Sequence, residues 1–492
     1  MASDSSKIAK YITSFGSIEI LMVFGSFISF PIFTRLLVKE DYGLMNLINI
    51  TLMVSITIGS MELPHSVFRF HEVYKEGHNK KRFMGTIRSL STISGFLMVV
   101  LCLLLSTLCF YLKVIDKTVL HFLYLASPLI VIRNLSRLEM SLMRIQEKVK
   151  QVNFVNLSIR YGSVAGSVCM VLMIGNLYGY YIGILIAEAA VLLTIIFLYK
   201  DARNFQIPDR VILKECITYS FPLIFTALSA YLIQSGDRYI IAYFLGPGAV
   251  ADYSVAYNYC QYPADILKNA FHYSFVPIIM SAWNKEGLEK GASLLTKYIM
   301  IYFWIAIPIV IGLVIIRIEG ILLIAGNKYL SAGYLVPVVA TGLALNGMNF
   351  VFFSGLYYKK KTQIILKISI FSAVLNVVLN IFLIPVFGLI GAAVATLISY
   401  AMSYIIALAF TLREIKFGIP YRDIILALIS GAFMYLVVDR VMNIKTLNQV
   451  IGIQDYQLIA KIVIGVLSYT LIFSLFARKK ITALLSEFLK KK

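Results

Sequence analysis

Five polar side chains, Asn258, Gln261, Asp265, Lys268 and His272, recur at steps of three or four within the otherwise apolar stretch 249–282. That spacing puts them on one face of a helix. A Lys or Asp at the centre of a bilayer costs about 2.5–3.5 kcal/mol on insertion scales, so such a stripe must face protein or water. The chemistry on offer is recognition, not bond making: the stripe would line a wet cavity and contact a substrate or a coupling ion. The competing reading is that Asp265 and Lys268, at i and i+3, only neutralise each other.

Other charges sit in apolar surroundings. Glu19 lies about two turns into the first apolar segment and Glu188 midway along another, so each needs a partner or a proton. Arg133, Arg137 and Arg144 share a segment; Arg137 and Arg144 are expected to snorkel to the interface, while Arg133 is deeper and the better functional candidate. Asp237 and Arg238 read as a local ion pair at a helix end. Ser369, Ser372, Asn376 and Asn380 read as helix-packing contacts, and Tyr253, Tyr257, Tyr259 and Tyr262 as an interfacial belt or, beside a polar cavity, stacking surfaces for sugar rings.

Catalytic signatures are missing. The chain has no GxxxxGK[ST] phosphate loop and no GxSxG, HExxH or DFG-type set. Cys102, Cys109, Cys169, Cys216 and Cys260 lie in or beside apolar segments without CxxC or metal-ligand spacing and read as small hydrophobes, so no metal site and no cofactor are expected.

These residues must be positioned by membrane spans. Of 492 residues, 59% are hydrophobic and 14% charged, more apolar surface than a soluble interior can hold. Ile368 to Leu412 carries no charged side chain and is broken only by Pro385-Val386-Phe387-Gly388, which fits two spans of about 20 residues joined by a tight turn. About fourteen spans are read, near 12–34, 43–63, 89–111, 119–142, 153–175, 178–199, 217–236, 249–282, 298–316, 331–356, 364–385, 388–411, 422–438 and 456–477. The first is too long for a cleavable signal and lacks a small-residue cleavage site. The fold class is all-α and polytopic.

Net charge is +20, but its placement argues against nucleic acid. Of 45 Lys and Arg, 31 fall at the termini and in loops after even-numbered spans and 10 in loops after odd-numbered ones, so both termini are expected in the cytoplasm. A weak repeat at about 210 residues pairs Asp41-Tyr42 with Asp252-Tyr253, and Tyr178 to Gly183 with Val386 to Gly391. Six helices intervene, so two lobes of like topology are expected, 1–199 and 215–411, joined by a polar linker 200–214, with 412–492 supplying helices 13 and 14 and a basic tail. A substrate would lie between the lobes.

Phe33-Thr34-Arg35-Leu36-Leu37, then Glu40-Asp41-Tyr42-Gly43, Asp237-Arg238, Gly246, Asp252-Tyr253 and Ile384 to Ala393 follow one another in an order that resembles the polysaccharide-export branch of the multidrug/oligosaccharidyl-lipid/polysaccharide superfamily, whose fold is MATE-like. The resemblance covers essentially the whole chain. It implies a two-lobe flippase that carries undecaprenyl-pyrophosphate-linked O-antigen, capsule or exopolysaccharide repeat units across a bacterial inner membrane by alternating access, through a cationic cavity. On that reading Lys268, Arg133 and, at the outer end, Arg35 contact phosphate; Asp265, Glu19 or Glu188 couples transport to H+ or Na+; a polysaccharide polymerase and chain-length proteins are implied partners. A sugar pyrophosphate cannot cross hydrocarbon without losing its hydration, whereas its polyprenyl tail can stay in lipid. The rivals are a cation-coupled multidrug exporter of the same fold, a lipid II or teichoic-precursor flippase, and a membrane polymerase or ligase, which the scarcity of long loops disfavours.

Overall fold

The computed structural model describes residues 21–22, 24–74, 77–199, 203–442 and 454–489. It is helical throughout, and the chain divides into two compact units, Met1–Ala251 and Asp252–Lys492.

In the first unit the described part of α1 ends at residue 36 and is followed by α2 (Lys39–Ser60), α3 (Leu63–Phe70), α4 (Gly77–Tyr111), α5 (Lys117–Ala126), α6 (Pro128–Ile145), α7 (Val149–Ile174), α8 (Leu177–Leu198), α9 (Arg210–Ser235) and α10 (Asp237–Leu245). Two of the expected spans are broken helices. Met61 and Glu62 take left-handed backbone angles (φ 49° and 50°) between α2 and α3, and Pro64 supplies the fixed φ suited to the new start. Likewise Pro128 opens α6 directly after α5. Leu63, Val67, Phe83, Ile87, Leu138, Leu142, Ile212 and Cys216 form a core of α3, α4, α6 and the first half of α9. Residues 203–209 lie against α4: Asn204 Nδ2 donates to Lys81 O (3.0 Å), the Gln206 N–H to Ser89 Oγ (3.2 Å) and the Asp209 N–H to Thr86 Oγ1 (3.2 Å). Asp209 then caps α9, accepting from the N–H groups of Val211 and Ile212 at 2.9 and 3.1 Å.

The closest helix packing in this unit joins α7 to α8. Gly175 (φ 80°) ends α7 and Asn176 caps α8 by accepting from the Tyr178 N–H at 3.0 Å. A Cβ built on Gly166 would lie 2.7 Å from the carbonyl oxygen of Gly183, so the two backbones touch where neither residue has a side chain.

In the second unit, α11 (Pro247–Lys285, begun one turn before the boundary) is followed by α12 (Leu288–Ile315), α13 (Arg317–Ala325), a 3-10 segment (Asn327–Leu335), α14 (Val336–Tyr358), α15 (Thr362–Phe387), α16 (Leu389–Glu414), α17 (Tyr421–Met442) and α18 (Gln454–Leu489). The charge-free run folds as expected into the hairpin of α15 and α16, reversing at Gly388 (φ 61°). A Cβ at Gly391 would collide with the Leu383 carbonyl, as one at Gly179 would with that of Met170. α17 and α18 form a hairpin on α12 through Met300, Trp304, Met434, Tyr469 and Phe473.

Among the described residues twelve helices are long and apolar enough to cross a membrane. The expected spans outside the twelve are the first, which lies partly beyond the described residues, and 249–282, which is a continuous helix but carries the polar stripe together with Pro263 and Pro277. Large apolar side chains such as Phe96, Leu97 and Leu104 on α4 are more than half exposed, as a lipid-facing surface requires.

Candidate functional site

Two clusters of charge stand out on long helices, one in each unit. In the first, Arg133 of α6 grips Glu188 of α8 with both ends of its fork: Nε donates to Oε2 and Nη2 to Oε1, each at 2.8 Å. Ser163 of α7 donates to the same Oε1 at 3.3 Å. The tight α7–α8 seam is what delivers Ser163 to the carboxylate, since Gly162 faces Ala187 one position away. The pair is asymmetric, with Glu188 4% exposed and Arg133 24%. Around it, Arg160 of α7 donates to Ser26 Oγ of α1, and Asn49 of α2 donates to the Tyr180 hydroxyl at 3.3 Å. A planar guanidinium that holds a carboxylate bidentately has the geometry to hold a phosphate in the same way.

In the second unit Lys268 Nζ donates to Asp265 Oδ1 at 2.6 Å, so the two do neutralise each other in this conformation. The ammonium also lies 5.6 Å from the Phe350 ring of α14, and His272 meets the edge of that ring at 5.4 Å between centroids. Lys268 and Asp265 are 27% and 32% exposed, so the pair is within reach of solvent or ligand. Asn258 and Gln261 are half-buried on the same helix.

The remaining sequence candidates do not join either cluster. Arg35 is exposed beyond the middle of α1, and Glu19 lies outside the described residues. Arg137 is half-buried and Arg144 exposed, as snorkelling cations would be. Asp237 and Arg238 form the expected local pair at 3.1 Å, but buried in the protein (1% and 5% exposed) instead of at a wet helix end. Asn376 Nδ2 donates to Thr396 Oγ1 (3.2 Å) and Asn380 Nδ2 to Asn376 O (2.8 Å), so the stripe on α15 is packing against α16, as its residue types suggest. The tyrosines require a correction. Tyr253, Tyr257 and Tyr259 are at most 5% exposed; the hydroxyls of Tyr253 and Tyr257 meet Thr396 (3.3 Å) and Tyr400 (3.1 Å) of α16, and that of Tyr259 donates to the Leu313 and Ile316 carbonyls at the end of α12 (3.4 Å each), so these three are core residues with satisfied polar tips, not an interfacial belt.

Sequence reasoning missed a second Arg–Glu pair on α6. Glu139 accepts from Arg88 of α4, Nε to Oε1 and Nη2 to Oε2, the latter at 3.0 Å, and the side chains are 6% and 1% exposed. Arg88 precedes the apolar run of its helix and was legible only as one of the basic residues that set topology. No group of three or more His, Cys, Asp or Glu among the described residues is placed to hold a metal.

Residues 9–283 match the family described as "Polysaccharide biosynthesis protein", more than half of the chain. The chain belongs to that family. Among curated relatives of this family member, a probable low-salt glycan biosynthesis flippase, Agl15, of Haloferax volcanii is 23% identical over 286 residues, 58% of this chain and 59% of the relative. The chain spans about half the length of the curated relatives it matches, 46–59%. Its fold is that of a solved lipid II flippase, MurJ, in an inward closed conformation, with a TM-score of 0.75 at 17% identity, covering 95% of this chain and 99% of that one. An inward-facing multidrug resistance MATE family transporter of the MOP superfamily has the same fold at a TM-score of 0.60 and 13% identity, covering 80% and 93%. The polysaccharide-biosynthesis family and the MOP fold thus hold for this chain as the motifs implied.

Proposed function

We propose that this protein is a flippase that moves a polyprenyl-diphosphate-linked oligosaccharide across the membrane by alternating access, undecaprenyl being the carrier and the inner membrane the site in a bacterial setting, with both termini in the cytoplasm. The observation that carries the reading is a pair of partly exposed cations within membrane-length helices, Arg133 and Lys268, in a member of the polysaccharide biosynthesis family. Each is matched by one carboxylate, with which a substrate phosphate would compete for the cation. Asn258, Gln261, His272 and Arg35 would also contact the cargo, and Asp265, Glu188 or Glu19 would carry a coupling H+ or Na+. Agl15 is named as a probable low-salt glycan biosynthesis flippase and the solved MurJ as a lipid II flippase, and these names favour a flippase with a glycan or lipid-linked cargo. A polysaccharide polymerase and chain-length proteins would receive that cargo. A multidrug exporter of the same fold would be expected to present carboxylates, not Arg133 and Lys268, to an organic cation.

The test is complementation of a deletion strain. Lys268→Ala and Arg133→Ala should each abolish surface polysaccharide while the protein reaches the membrane at the normal level. Normal polysaccharide at normal expression of both variants would refute the assignment.

A further inference from the structure

We infer that the Arg133–Glu188 pair is an exchange switch in which a substrate phosphate takes Arg133 from Glu188 and Glu188 binds a proton in its place. The inference rests on the flippase reading and assigns this pair a single coupled step. Its basis is the exposure asymmetry: the cation can be reached and the anion cannot. Both Glu188 oxygens are taken up by the Arg133 fork, and Oε1 also receives Ser163. If a phosphate draws the guanidinium away, the carboxylate is left almost wholly buried with one neutral hydrogen bond, a state that a carboxyl group avoids by taking up a proton. Charge then balances locally, because the phosphate brings negative charge to Arg133 and the proton cancels that of Glu188.

The other titratable and charged groups around α8 are paired elsewhere or lie beside the pair, and none donates to Glu188 in this conformation among the described residues. From α7, Arg160 donates through Nη2 to the neutral Ser26 hydroxyl while its Nε has no hydrogen-bond partner among the described residues, and from α6, Arg137 lies one turn beyond Arg133. On α8 itself the Tyr180 hydroxyl is held by Asn49 of α2 and that of Tyr181 by the Met45 carbonyl (3.3 Å). Toward the start of α8, His121 of α5 approaches Tyr178 at 3.5 Å and Asp41 of α2 accepts a hydrogen bond from the backbone of Leu177. The second pair on α6 is the built-in contrast: Arg88 and Glu139 share the bidentate arrangement but are both sealed, so no ligand can compete for that cation.

The experiment uses the purified full chain and farnesyl diphosphate as the probe, with binding measured by titration calorimetry near neutral pH in two buffers of different ionisation enthalpy. The wild-type protein should take up about one proton more per bound diphosphate than Glu188→Gln, and its affinity relative to that variant should rise up to about tenfold per unit fall in pH. Subtracting the variant removes protons that belong to the probe. If Glu188→Gln does not fold, Arg133→Gln serves: it should bind the probe more weakly and with no uptake assignable to this site. Binding with equal proton uptake in wild type and variants overturns the exchange while leaving the flippase reading intact. Failure of the wild type to bind farnesyl diphosphate at all overturns both.

Discussion

The sealed pair between α4 and α6 permits a quantitative test. Arg88 is 1% exposed, its Nη1 has no hydrogen-bond partner among the described residues, and its charge is balanced by Glu139 alone. Removing one member of a buried pair strands the other charge and costs about 3–5 kcal/mol, whereas replacing both with apolar side chains of similar volume is often neutral or stabilising by about 1–4 kcal/mol. Glu139→Leu and Arg88→Met should therefore each be severely destabilising, and the double variant should recover most of the loss. For a unit of this size, about 2–4 °C per kcal/mol translates the single losses into roughly 6–20 °C of melting temperature. The assay is the thermal midpoint of the detergent-purified protein, followed by the loss of monodisperse protein after heating, for wild type, both singles and the double. Losses that add in the double variant would refute the pairing, and singles that melt like wild type would refute its burial.

Three further outcomes follow from local geometry. Gly183→Ala would push a methyl group into the Gly166 backbone and should cost about 1–3 kcal/mol, read as a lower thermal midpoint, while Gly162→Ala, where a Cβ meets only Ala187 at 3.9 Å, should be far milder. The N–H groups of Ile212 and Val211, together with Arg82, hold the Asp209 carboxyl below its ordinary range; a depressed carboxyl stabilises the fold above its unfolded-state value and loses that contribution as pH falls through the folded one, so Asp209→Asn should flatten the acid limb of a stability–pH profile. Tyr74 is pushed up to about 12 by burial and by donating to Glu215 at 2.7 Å, so ultraviolet titration of wild type against Tyr74→Phe should show one phenol that ionises about two units late.

What was legible in the sequence is what depends on local pattern. The charge-free run 368–412 became the α15–α16 hairpin because two runs of that length and a Pro/Gly turn leave little else to form. Asn376 and Asn380 were readable as packing because amides at i and i+4 can satisfy each other and a neighbour. The partners of the charges were not legible. Glu188 and Arg133 each stood out as intramembrane charges, yet they lie 55 residues apart and nothing local joins them. Arg88 and Glu139, 51 apart, were harder still, since a basic residue at the head of a span has an ordinary explanation in the positive-inside pattern. The tyrosines of α11 misled for the converse reason: a phenol near a span end suits an interface and a core equally, and only Thr396 and Tyr400, more than 140 residues on, decide between them.

The glycine contact between α7 and α8 has a mechanical consequence. Two backbones that touch at Gly166 and Gly183 cannot slide past each other without a clash, so Ser163 and Glu188 travel as one plank. Uncovering the carboxylate then calls for movement on the opposite wall, of the Arg133 side chain or of the α6 backbone that carries it, with the α7–α8 pair as the fixed anvil.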